Sequence, residues 1–313
     1  MKMPFRTRAQ PDNGTPRDAS WGFREGDGIA PGRHAVRLLG GGVRFEAYLA
    51  WDDQLHSLIV VKMLRPDQVD EPAALAAIAA EARMLESLQH PVIVRAFDAV
   101  VDGVRPHLLL EYLDGPHLST LLRTSAISIE QVLPLGLQLC SAVHYMGTQD
   151  VVHMDVKPRN VIMTGPPRLI DFSLALRTGE LPGVSSPTGT PRYMAPEQCD
   201  PARFRQLGGA TDVWGIGVTL YWALAQRSPF PEPSSDERAP MEERYPQLVH
   251  GPAPLPADVT PALAELVEAT LAPRPEDRPA AGQVAAELEV LVAALPGPRL
   301  GRFRVSTRKG VRR

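Results

Sequence analysis

Asp155, Lys157 and Asn160 all fall within the run Val152-His153-Met154-Asp155-Val156-Lys157-Pro158-Arg159-Asn160-Val161, and Asp171 follows eleven residues past Asn160. A carboxylate can take the proton of a hydroxyl, and an ammonium can neutralise an anionic group. Carboxylate and amide oxygens together suit a hard divalent cation. One short stretch therefore gathers residue types able to move a proton, supply a positive charge and bind a cation.

The run resembles the catalytic loop of protein kinases, H-R-D-x-x-x-x-N, with the lysine two places after the aspartate as in the Ser/Thr class. The resemblance implies that Asp155 accepts the proton of a protein hydroxyl and Lys157 neutralises the phosphoryl in transit. It implies that Asn160 helps to hold Mg²⁺. Asp171-Phe172-Ser173 resembles the D-F-G motif, which implies that Asp171 bridges Mg²⁺ to the β- and γ-phosphates of ATP. Gly189 to Glu197 ends in Ala195-Pro196-Glu197 and resembles the close of a kinase activation segment. Asp212-Val213-Trp214-Gly215-Ile216-Gly217 looks like the start of the buried helix behind the catalytic loop. Arg278, in Pro275-Glu276-Asp277-Arg278-Pro279, is implied to pair with Glu197 and to hold the lobe together without doing chemistry.

The N-terminal half carries a second set of motifs. Ile59-Val60-Val61-Lys62 resembles the V-A-I-K strand, whose lysine contacts the α- and β-phosphates. Downstream, Leu75, Ile78, Leu85 and Leu88 form an apolar stripe at helical spacing, with Glu81 inside it. A carboxylate on a buried face is costly unless paired, so a Lys62–Glu81 ion pair is expected; the alternative is a glutamate at the edge of the stripe reaching solvent. His90-Pro91-Val92-Ile93-Val94 resembles the turn after this helix, and Leu110-Glu111-Tyr112-Leu113 the hinge that meets adenine. The nucleotide contacts implied by the resemblance are Gly40, Gly42, Ala47, Val60, Lys62, Glu111, Leu113 and Ile162.

Four departures from the family pattern matter. The phosphate-covering loop keeps Gly40 and Gly42 but has Phe45 in place of the third glycine, either weakening the cradle of backbone N–H groups or folding over the site as a lid. Val60 replaces the alanine of V-A-I-K, and Ala47 replaces the valine that ends the glycine-rich loop. These swaps offset one another in volume, so a nucleotide is expected to fit, shifted towards Ala47. Met154 stands where many members have an arginine that grips a phosphorylated activation loop, so phosphorylation at Thr178, Ser185, Ser186 or Thr188 is expected to matter less. Ser173 replaces the D-F-G glycine and is expected to stiffen the motif.

The elements that must position these residues follow from the pattern along the chain. β-Branched and aromatic stretches from Val36 to Lys62 suggest a small antiparallel sheet. Pro72 opens an Ala-rich helix towards Gln89, and Leu108 to Tyr112 reads as another strand. Beyond Leu118 the pattern is mostly helical. The expectation is an α+β, bilobal protein-kinase fold: a small sheet lobe with one helix (about 33–112) and a larger, mainly α-helical lobe (about 113–293). Residues 1–32, rich in Pro, Gly, Asp and Arg, read as a flexible arm. Residues 294–313 read as a basic, disordered tail, with contact to an acidic partner as the alternative.

Bulk properties agree. A net charge of −3 gives no general reason to expect nucleic acid or anionic membrane as partner. The two cysteines, Cys140 and Cys199, form no disulfide framework or zinc pattern, which fits a reducing cytoplasm. The apolar run Val213 to Ala225 is too short for a membrane span and reads as a buried helix. Related bacterial receptors carry a span after the kinase domain, whereas this chain ends in its basic segment, so sensing input is expected from a partner or the termini. Apart from His153, expected to pack against Phe172, the histidines (His34, His56, His90, His107, His117, His144 and His250) lack metal-ligand spacing and are expected at the surface or in turns. The function expected is transfer of the ATP γ-phosphoryl to Ser/Thr hydroxyls of proteins; the alternative is a pseudokinase scaffold that binds nucleotide or partners without efficient turnover.

Overall fold

The computed structural model describes residues 20–204 and 206–295. A six-stranded antiparallel sheet is built from β1 (Gly28–Ala30), β2 (Arg33–Gly41), β3 (Phe45–Asp52), β4 (Ser57–Leu64), β5 (Ala96–Val100) and β6 (His107–Glu111), in the order β1-β2-β3-β4-β6-β5. Between β4 and β5 runs α1 (Pro72–Glu86), opened by a proline at its first turn, where no backbone donor is lost.

Strand alternation gives this sheet two distinct faces. Ala47 lies opposite Lys62 and Leu49 opposite Val60, so Phe45, Ala47, Val60 and Lys62 share one face. On the other face Tyr48, Ala50, Ile59, Val61, Met63 and Leu109 form a separate apolar cluster, covered by Trp21 and Phe23. The arm expected over residues 1–32 therefore gives way to structure from Ser20: Gly28 and Ala30 pair with β2, and the Trp21 indole N–H donates to the Leu64 carbonyl at 2.8 Å. Composition misled because two aromatic anchors suffice to dock a segment otherwise made of turn residues. The basic segment beyond residue 295 and residues 1–19 lie outside the described residues.

The larger part holds α2 (Leu118–Thr124), α3 (Ile129–Thr148), α4 (Pro196–Cys199), α5 (Pro201–Phe204), α6 (Gly209–Ala225), α7 (Met241–Arg244), α8 (Pro261–Thr270) and α9 (Ala281–Ala293). β7 (Val151–Val152) pairs with β10 (Leu176–Arg177), and β8 (Val161–Ile162) with β9 (Arg168–Leu169), as two small separate sheets. The α+β division into a sheet half with one helix and a mainly helical half is as expected.

The run Val213 to Ala225 is the buried helix α6, apolar all round, as a central core helix is. No helix of the described residues is long and apolar enough to cross a membrane. A Cβ on Gly215 would stand 2.6 Å from the Val156 carbonyl oxygen, so glycine is what lets α6 press against the loop carrying Asp155.

Arg278 and Glu197 meet as expected, in a two-pronged pair at 2.7 and 2.8 Å with both side chains fully buried. Thr211 donates to Glu197 at 2.9 Å, and Arg278 also reaches the carbonyls of Ala272 and Ala210. Removing one member of such a pair costs about 3–5 kcal/mol, because the other charge is left buried alone.

Candidate active site

β4 delivers Lys62 to the cleft and α1 delivers Glu81. The ammonium bonds both carboxylate oxygens, at 2.7 and 2.8 Å, and Asp171 at 3.0 Å. Glu81 is 3% exposed, which excludes the solvent-reaching alternative. Burial alone would lower the Lys62 pKa, but Glu81 and Asp171 outweigh it and hold the ammonium charged above its usual value. Burial likewise works to raise Asp171, and Lys62 overcomes it, holding that carboxyl well below the ordinary range. Asp171 is thus a fixed negative charge with a partly exposed side chain.

The loop after β7 carries the second group. Asp155 accepts from Lys157 at 2.5 Å on one oxygen and from the Thr190 hydroxyl at 2.9 Å on the other. Lys157 also donates to the Thr190 hydroxyl oxygen at 2.6 Å. Asn160 donates through Nδ2 to the Asp155 carbonyl at 3.0 Å and to its carboxylate at 3.1 Å. Both Asn160 and Asp155 are buried.

What fixes this loop is Asp212 at the start of α6, whose two oxygens accept the N–H groups of His153 and Met154 at 2.7 and 2.9 Å. Burial pushes its carboxyl up to about 7, against the pull of those two donors. Met154 and Asp171 both adopt left-handed backbone, φ +68° and +65°. Non-glycine residues rarely do so, and such conformations gather where surrounding contacts dictate them.

His153 is fully buried and meets Phe172 edge-to-face, ring centres 4.7 Å apart. It accepts the Asp155 N–H at Nδ1 (3.2 Å), while Nε2 faces the Ile170 carbonyl at 3.3 Å. That pattern requires the neutral ring protonated on Nε2. Burial, outweighing the nearby Asp155 and Asp171, lowers its pKa in agreement.

The remaining expected nucleotide contacts lie on several elements. Gly40, near the end of β2, and Gly42, in the turn that follows, are both exposed. Ala47 and Val60 share the Lys62 face, and Ile162 is buried in β8. Leu113, beyond β6, is part-buried against the main core. The Glu111 side chain is turned elsewhere, to the Arg95 N–H at 2.6 Å and the Arg168 guanidinium, so any contact it makes to adenine must come through its main chain. Phe45 places its ring 4.9 Å from the Lys62 Nζ.

Three features had no motif to announce them. Gln198 donates to the carbonyls of Met154 (2.7 Å) and Thr188 (2.8 Å), tying the loop that carries Asp155 to the segment before Ala195-Pro196-Glu197. Gln247 donates to the carbonyls of Pro191 and Met194, both at 2.8 Å. His107, expected at the surface or in a turn, is 4% exposed within β6. The signal for all three is tertiary; a glutamine or histidine in isolation carries none.

Cys140 and Cys199 are both buried and unpaired. Burial pushes the Cys140 thiol up to about 12 and Cys199 higher still, so neither forms a thiolate at neutral pH.

The chain matches the family model described as protein kinase domain over residues 33–288. It is 30% identical over 265 residues to the serine/threonine-protein kinase PknB of Mycolicibacterium smegmatis, covering 80% of this chain and 41% of that protein. It is 31% identical over 276 residues to a probable serine/threonine-protein kinase of Streptomyces coelicolor, covering 84% and 40%. A serine/threonine-protein kinase of Myxococcus xanthus is 33% identical over 287 residues, covering 88% and 39%. The chain therefore spans about two fifths of the length of these relatives. With its fold, its cleft and this match in agreement, the chain belongs to the protein kinase domain family.

Proposed function

We propose that this chain transfers the γ-phosphoryl of ATP to Ser or Thr hydroxyls of proteins. The observation that carries this reading is the Thr190 hydroxyl, which donates to Asp155 at 2.9 Å and accepts from Lys157 at 2.6 Å. The pair Asp155–Lys157 is thus built to receive an alcohol: one member takes its proton and the other sets a positive charge beside its oxygen. A substrate hydroxyl in the same setting would lose its proton to Asp155 as it attacks the phosphoryl. Lys62 is the group for the α- and β-phosphates, positioned by Glu81.

Mg²⁺ fits the donors present. Asn160 spends its amide hydrogens on Asp155, which turns its carbonyl oxygen to a ligand role, and Asp171 is held ionised by Lys62. Two hard oxygen ligands, completed by phosphates and water, suit Mg²⁺. Among the described residues no group of three His, Cys, Asp or Glu gathers as an all-protein cage. The metal, when bound, neutralises charge developing on the phosphates.

The reading includes independence from activation-loop phosphorylation. Met154, in the place of the phosphate-gripping arginine, is 2% exposed and packs with Val152 and Leu181, flanked by Leu174, Leu176 and Leu207. Apolar contact holds the segment where a phosphate–arginine contact otherwise would. The two free buried cysteines agree with a cytoplasmic location, and the substrates are proposed to be proteins.

A second reading draws on Phe45, whose ring covers Lys62: a scaffold that binds nucleotide or partners without efficient turnover. Incubating the purified chain with Mg²⁺-ATP and a generic basic protein separates them. Phosphoserine or phosphothreonine in the product supports the kinase reading, and ATP binding without incorporation supports the scaffold.

A further inference from the structure

The glycine-rich turn between β2 and β3 is exposed, yet it is held from behind. Arg65, just past β4, donates from Nε to the Gly42 carbonyl at 2.7 Å and from its main-chain N–H to the Arg44 carbonyl at 2.9 Å. Its guanidinium stands 3.5 Å from Glu46, a carboxylate 1% exposed on the outer face of the sheet. Glu46 also accepts the Tyr48 hydroxyl at 3.1 Å and the Trp21 main-chain N–H at 3.2 Å.

Trp21 closes the circuit through its indole bond to the Leu64 carbonyl, the residue before Arg65. It lies outside the stretch that matches the family model, residues 33–288. It is itself anchored, stacked on Phe23 with ring centres 6.0 Å apart and flanked by the Arg105 guanidinium at 5.1 Å. Arg105 in turn bonds the carbonyls of Gly28 and Ile29 at 3.1 and 3.0 Å.

We propose that Trp21 and Arg65 are positioning residues for ATP, forming with Glu46 a brace that holds the Gly40–Gly42 turn from the outer face of the sheet. This rests on the reading that the turn receives ATP phosphates. A glycine-rich turn loses much conformational freedom when it closes on phosphate. Ordering it beforehand lowers that cost and so strengthens nucleotide binding. The brace touches neither Asp155 nor the segment that would receive protein substrate, so its effect falls on ATP alone.

The test is steady-state kinetics of the full chain with Mg²⁺-ATP and a generic basic protein, for Arg65→Ala, Trp21→Ala and the double variant. Each single change is expected to raise KM for ATP roughly fivefold, the scale of one lost hydrogen bond. kcat and KM for the protein stay within about twofold of the parent. The double variant falls short of the product of the singles, because both act on one turn. Arg65→Lys, still able to donate to Gly42, recovers most of the affinity. An unchanged KM for ATP, or equal damage to kcat and both KM values, overturns the proposal.

Should the alanine variants fail to fold, Trp21→Phe keeps an aromatic ring in place while losing the indole N–H together with its five-membered ring. It is expected to raise KM for ATP roughly twofold, and no rise overturns the brace. If the parent shows no turnover, the kinase reading fails by itself. The brace is then decided by ATP dissociation constants, where equal affinities across the set overturn it.

Discussion

The Lys62 ammonium stands 4.9 Å from the centre of the Phe45 ring while bonding Glu81 and Asp171. An aromatic ring at the third glycine position of the expected loop thus faces the ammonium proposed to meet the phosphates. A cation–π contact of this kind is worth about 0.5–1 kcal/mol, and on the proposed reading ATP competes with it. Phe45→Gly removes that competition and lets backbone N–H groups come closer. We expect ATP to bind about threefold more tightly to Phe45→Gly, by isothermal titration with Mg²⁺ present. Weaker binding would mean that Phe45 supports the nucleotide.

The apolar cluster that Met154 shares with Leu181 leads to a paired prediction. Alanine at Thr178, Ser185, Ser186 and Thr188 together should leave kcat within about twofold if apolar contact, and not phosphate, holds the segment. Leu181→Ala removes an apolar side chain that is 5% exposed and should reduce kcat/KM for protein substrate roughly tenfold. Steady-state assays of both variants check this. A collapse of activity in the four-alanine variant, with Leu181→Ala unaffected, would show that the segment is switched by phosphate after all.

His153 gives the fold a pH signature. Its pKa is lowered from 6.5 by burial, so the unfolded chain takes up a proton in mild acid that the folded ring refuses. The unfolded state then binds more protons, and stability falls as pH drops below 6.5. Chemical denaturation should show a greater loss between pH 7.5 and 5.5 for the parent than for His153→Leu. Equal slopes would place a charged imidazolium in the fold, contrary to its acceptor role for the Asp155 N–H.

Much of the site was readable because its chemistry is tied to short spacings. Asp155, Lys157 and Asn160 sit in one loop, and that loop brings them together. The Lys62–Glu81 pair was inferable from a carboxylate inside an apolar stripe, where only a partner makes sense. Arg278 and Glu197 are far apart in the chain, and only the family resemblance linked them. The residues that were not readable act through backbone carbonyls. Gln198 and Gln247 bond to main-chain oxygens that no side-chain pattern reveals. Trp21 was hidden in turn-rich composition, and its partners Glu46 and Leu64 lie 25 and 43 residues away.

The measurement closest to the central claim compares the parent chain with Asp155→Asn for phosphoryl transfer from Mg²⁺-ATP to a generic basic protein, with ATP binding determined on the same samples. Asparagine keeps the size of the side chain but is a poor proton acceptor, so transfer should fall by about 10²-fold or more, while ATP affinity stays within about twofold. Equal transfer by both proteins would contradict the assignment of Asp155 as the base.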